Sequence, residues 1–163
     1  MDTVCGWEMA RAMAENGGLG ILHRFMSVDE NVRQYRLAST VNLTVGVSIG
    51  IKDGEYQRAE ALISAGANIV CVDVARGYSK PVGDMVRWLD TSFDDLFIIV
   101  GTTVSRDGVK SLAGWGADAV RVGIGNGSVC TTSFKTGLGM PSLTAILDCS
   151  EAGIPIIADG GLH

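Results

Sequence analysis

The sequence predicts an α/β fold built on a parallel sheet, and three observations carry that prediction. Short, β-branched apolar runs alternate with helix-like segments along the whole chain. The runs are apolar almost continuously rather than at every second residue, the habit of strands buried on both faces. Two segments, 61–77 (ALISAGANIVCVDVARG) and 111–127 (SLAGWGADAVRVGIGNG), also repeat one another, with Gly66 on Gly116 and Gly77 on Gly127.

Taken in order, a helix-like stretch over 6–17 (GWEMARAMAENG) precedes the apolar run 18–24 (GLGILHR). A helix is expected over 28–39 and a strand over 43–50 (LTVGVSIG). In the next helix, 54–66, Ala59, Leu62 and Ile63 recur at helical spacing and Gly66 supplies a C-terminal stop. The remaining strands read as 68–74 (NIVCVDV), 96–104 (LFIIVGTTV), 118–125 (DAVRVGIG) and 154–161 (IPIIADGG), each bounded by Gly, Asp or Pro. Helices over 80–92, 106–116 and 141–153 lie between them. Repeated βα units of this length fit either a doubly wound sheet or a (β/α)8 barrel. Six strands fall short of the eight in a barrel of about 250 residues. The alternatives are an open six-stranded sheet and most of a barrel lacking its first and last strands. No linker or charge block interrupts the series, so 1–163 reads as one domain.

Composition narrows the partners. With 47% hydrophobic and 19% charged residues, the chain can bury a core and is not disordered. A formal net charge of −5 without a Lys/Arg cluster argues against nucleic acid as a partner. Cys5, Cys71, Cys130 and Cys149 form no CxxC pair and the chain has two histidines, so a zinc site is not expected. Cys71 reads as a buried strand residue. No apolar run approaches the ~20 residues that span a bilayer, and no signal peptide is evident, so a reducing cytoplasm is expected.

In sheets of this class the carboxyl ends of the strands carry the site. Those ends supply His23–Arg24, then Gly50, Lys52 and Asp53, then Asp73 with Arg76 and Tyr78, Thr102–Thr103, the loop from Gly125 to Cys130, and Asp159–Gly161. For Arg24 the plain reading is a solvated loop residue; for Tyr78, Trp88 and Trp115 it is packing. The glycine spacing at 123, 125 and 127 is no dinucleotide fingerprint, because no helix follows directly. Small residues there free backbone amides for a phosphate, with Ser128 adding a hydroxyl, or carbonyls for a monovalent cation. Cys130, in a polar glycine-flanked loop, is a candidate nucleophile or a bystander thiol. Asp73 and Asp159 either cap local amides or accept from a ribose diol.

The stretch VGIGNGSVCTTSFKTGLGMPSLTAILDC followed by PIIADGG, with MDTV, NGGLGILHRFMS and VDVARGYS, resembles the IMP dehydrogenase/GMP reductase family over essentially the whole chain. The resemblance implies an incomplete TIM (β/α)8 barrel of about six strands, with MDTV ending the absent first strand and ADGG ending the seventh. It is closest to the reductase branch, through HRF, SIGIKDGEY, VDVARGYS and Lys135, and no CBS insert follows the second strand.

The resemblance further implies a Cys130 thioimidate on GMP, NADPH (NAD in the dehydrogenase alternative), IMP as product and Thr132 in proton transfer. It places the nucleotide on Ser128, Asp159, Gly160 and Gly161, the cofactor on Asp73, Ile124 and Gly125, and potassium on the carbonyls of Gly125, Gly127 and Cys130. A homo-oligomer, a tetramer in the family, is expected.

Asn126 stands where the family has proline, freeing φ there. Thr102 stands where the family has asparagine, Ser133 where arginine is common, and Arg24 where lysine often follows the histidine. The family's second phosphate-binding strand, flap and later catalytic glutamate would lie beyond His163. The isolated chain is therefore expected to have unpaired edges, to aggregate or need a partner, and to lack turnover. A non-catalytic nucleotide-binding subunit remains the alternative from another class.

Overall fold

A computed structural model describes residues 2–40, 43–127, 130–137 and 139–162. Its chain packs as two compact units, Met1–Cys71 with Asp95–Phe97, and Val72–Asp94 with Ile98–His163.

In the first unit, α1 (Trp7–Glu15), β1 (Gly20–Leu22), α2 (Val28–Ala38), β2 (Val45–Ile49) and α3 (Glu55–Ser64) alternate. β1 and β2 pair in parallel, Gly20 opposite Val45 and Leu22 opposite Val47. The helix α1 lies directly on β1: a Cβ at Gly20 would stand 2.4 Å from the Ala10 Cα. All five β2 residues are buried, as are Leu22 of β1 and Ala59 and Leu62 of α3. Ser27 caps α2, its Oγ accepting from the Glu30 N–H at 3.3 Å. The predicted stop at Gly66 is present, with φ +106° following α3, and Tyr35 Oη donates to the Gly66 carbonyl at 2.7 Å.

The second unit holds most of β4 (Phe97–Thr103), with α4 (Lys80–Ser92), α5 (Arg106–Gly114), β5 (Ala119–Val122), α6 (Thr132–Thr136), α7 (Ser142–Ser150) and β6 (Ile156–Ala158). β4 pairs in parallel with β5, placing Gly101 opposite Arg121, and β5 with β6, placing Arg121 opposite Ile157. Val82, Met85, Val86 and Leu89 of α4 and Val109 and Leu112 of α5 are buried at helical spacing. Arg106 ties α5 to α7 through the Asp148 carboxylate and carbonyl, all at 3.0 Å. Trp115 packs over Gly83 and beside Tyr78, and Trp88 meets Phe93 edge-on, the packing roles expected of these rings.

The strands, with β3 (Ile69–Asp73), stand in the sheet in sequence order from β1 to β6. A doubly wound sheet reverses its order at a switch point; the uninterrupted order is that of successive barrel strands. All six expected strands are present, each shorter than its apolar run. Cys71 is buried, as expected. The helix α6 was not legible in the sequence. No helix among the described residues is long and apolar enough to cross a membrane.

Candidate active site

The thiol loop follows β5 and is held against the segment after β6. Gly123 N–H donates to the Thr103 carbonyl at 3.0 Å, and Asp159 N–H to Val122 at 2.9 Å, so both chains leave the sheet side by side. Contact is then close enough to require glycine. A Cβ at Gly123 would lie 2.8 Å from the Asp159 carbonyl oxygen, and one at Gly161 2.0 Å from that of Asn126. Gly160 faces Gly127, its Cβ position 3.8 Å from the Gly127 Cα. The structure thus brings together Ile124, Gly125 and Gly127 with Asp159, Gly160 and Gly161. Ser128 lies outside the described residues.

Cys130 is half-exposed and free of disulfide. Its thiol is held below the ordinary value, first by the Thr132 hydroxyl and then by the Thr132 backbone N–H, which hydrogen-bond the sulfur. A backbone contact from Gly125 adds to this, while slight burial and the Asp159 carboxylate oppose it. The cause is local: Cys130 lies two residues before α6, beside the Thr132 hydroxyl and backbone N–H at the start of that helix. Cys149, by contrast, is buried and its thiol is pushed up by that burial.

Asn126 contributes through its side chain. Its Nδ2 donates to the Met140 carbonyl at 2.6 Å and the Ile124 carbonyl at 3.4 Å, stapling the loop to the segment after α6.

Asp73 and Asp159 share Arg121, a residue not singled out in the sequence. Arg121 Nη1 meets Asp73 Oδ1 at 2.6 Å, and Nη2 meets Asp159 Oδ2 at 2.9 Å. The visible signal was one arginine inside an apolar strand. Thr102 is buried and its Oγ1 reaches the carbonyl of Ala75, just after β3, at 3.5 Å.

In the first unit, Arg24 is not the solvated residue expected. Its guanidinium carbon and Nη1 would lie 3.2 Å from a Cβ at Gly50, its Nε is buried without a partner, and it stacks 4.9 Å from the Phe25 ring centroid. Burial also holds the His23 imidazole below its ordinary value.

Across residues 1–163 the chain matches the family model described as the IMP dehydrogenase / GMP reductase domain. The chain belongs to this family. It is 39% identical over 168 residues to a GMP reductase of Vibrio parahaemolyticus, covering 99% of this chain and 48% of that protein. It is 44% identical over 124 residues to an inosine-5'-monophosphate dehydrogenase of Chlorobaculum tepidum, covering 74% of this chain and 25% of that one. The solved inosine 5' monophosphate dehydrogenase of Legionella pneumophila superposes with a TM-score of 0.93 at 44% identity, over all of this chain and 50% of that chain. The chain thus spans about half the length of the full-coverage reductase relative and the solved structure. The fold is that of an incomplete family barrel, with six of the strands present.

Proposed function

We propose that this chain carries the thiol half of a purine nucleotide oxidoreductase of the GMP reductase type. The observation that supports it most is the Cys130–Thr132 pair, a thiol favoured as thiolate by its neighbour, on a loop pressed against Asp159. The thiolate adds to C2 of the GMP purine, ammonia leaves with a proton, and a C2–S thioimidate remains. Thr132 hydrogen-bonds the sulfur and is placed to pass that proton. When bound, NADPH would supply the hydride to C2 whose addition lets the C–S bond break to IMP and the free Cys130 thiol.

Asp159 accepts from the ribose hydroxyls, where Gly160 and Gly161 leave room, and Ser128 takes the phosphate. Asp73, Ile124 and Gly125 face the dinucleotide: the Asp73 carboxylate is 36% exposed and keeps one oxygen beyond its Arg121 contact. Potassium fits only as a carbonyl site on Gly125, Gly127 and Cys130. The Gly127 oxygen already accepts the Cys130 N–H at 2.9 Å and retains one lone pair.

A dehydrogenase reading is favoured equally by the relatives, and chemistry separates the two. Loss of ammonia from GMP needs no oxidant, whereas forming the same thioimidate from IMP requires hydride removal. Single-turnover assays with stoichiometric chain therefore decide. One equivalent of ammonia from GMP without cofactor supports the reductase reading, and a burst of NADH from IMP and NAD supports the dehydrogenase. Nucleotide binding with neither burst would overturn both in favour of a non-catalytic binding chain.

A further inference from the structure

The nucleotide and dinucleotide sites proposed above use carboxylates on two different strands, and one side chain joins them. Arg121 stands on β5 with its neighbour β6 on one side, where Asp159 follows the strand, and β4 on the other. Asp73 closes β3, one strand farther away. Arg121 reaches it because the β4 residue opposite is Gly101, where a Cβ would stand 2.4 Å from the Arg121 Cβ. The missing side chain leaves the lane through which the guanidinium crosses β4. Its fork then binds one oxygen of each carboxylate, Oδ1 of Asp73 at 2.6 Å and Oδ2 of Asp159 at 2.9 Å.

We propose that Arg121 is a positioning residue that orients the remaining oxygens of Asp73 and Asp159 toward the ribose hydroxyls of the two ligands and so couples their binding. The inference rests on the nucleotide reading above. Without the fork, both carboxylates turn freely and repel one another, and each ligand must order its own partner on arrival. With it, the ligand that arrives first fixes the guanidinium and, through it, the carboxylate of the second. Lysine keeps the charge yet presents one ammonium, which holds one carboxylate at a time.

Calorimetry on the full chain tests this with IMP and NADPH, a pair that cannot exchange hydride. In the unsubstituted chain IMP should bind about 10-fold more tightly than its 2′,3′-dideoxy analogue, since each charge-assisted hydrogen bond contributes on this scale. NADPH should also raise IMP affinity. R121M should lose the ribose preference and the NADPH effect together, and R121K should recover each in part. Should R121M fail to fold, D73N must abolish the NADPH effect and leave the ribose preference. Wild-type preference and coupling in R121M overturn the proposal alone. An unsubstituted chain that binds no IMP overturns the functional reading and this inference with it.

Discussion

Gly101→Ala should destabilise the second unit far more than a methyl group suggests. The added Cβ would stand 2.4 Å from the Arg121 Cβ, 3.0 Å from its carbonyl oxygen and 3.1 Å from its Cα, all on the neighbouring strand. Carbon atoms settle at about 3.5 Å or more, so β4 and β5 would have to part by about 1.1 Å. Strand spacing is fixed near about 4.8 Å by the ladder hydrogen bonds, and no rotamer can relieve a contact with Cβ and backbone. Overpacking of this kind costs about 1–3 kcal/mol, and a strained ladder places this case at about 3 kcal/mol. Gly114→Ala is the control, because at the end of α5 a Cβ meets nothing within 4 Å. There alanine should be neutral or stabilise by up to about 1 kcal/mol. Urea unfolding followed by tryptophan fluorescence reads both variants. If the two midpoints coincide with wild type, the close packing of β4 on Arg121 is wrong.

Three further outcomes follow from the same contacts. Thr132→Val removes the hydroxyl that does most to lower the Cys130 thiol. A lowered thiol keeps its reactive anion at lower pH, so the midpoint of iodoacetamide reactivity should lie below the ordinary 9.0 in wild type and move up in this variant. Asn126→Ala should speed amide exchange over 123–127 while costing the whole unit only about 1 kcal/mol, since it cuts a staple from a loop. Arg58→Met should cost about 3 kcal/mol in thermal unfolding, because Arg58 is nearly buried and its loss strands the Glu55 carboxylate, Asn31 Oδ1 and the Met26 carbonyl.

The alternation of strand and helix was legible because parallel strands are apolar on both faces, and Ile69–Asp73 reads that way without any partner in view. The strand ends were not. The run over 154–161 becomes β6 only over Ile156–Ala158, because Asp159 to Gly161 turn away against the thiol loop. The five-residue α6 shows no apolar period and is held by its place between Cys130 and the stapled Met140 segment. Cys130 and Asp159 stood out because small polar residues crowd a strand end, and Thr132 through the family resemblance. Arg121 did not, since its partners lie 48 and 38 residues away and local pattern carries no trace of them. The Asn126 amide contact was not legible for the same reason, since its acceptor on Met140 lies 14 residues on.

The central claim is that Cys130 attacks a purine nucleotide seated on its loop. Incubation of the chain with 6-chloropurine ribonucleotide, followed by intact-mass measurement and peptide mapping, tests it most directly. The account predicts one adduct, on Cys130, formed with loss of chloride and slowed by GMP. An unlabelled Cys130 that still reacts with iodoacetamide, or an adduct on Cys5, Cys71 or Cys149 instead, would contradict it.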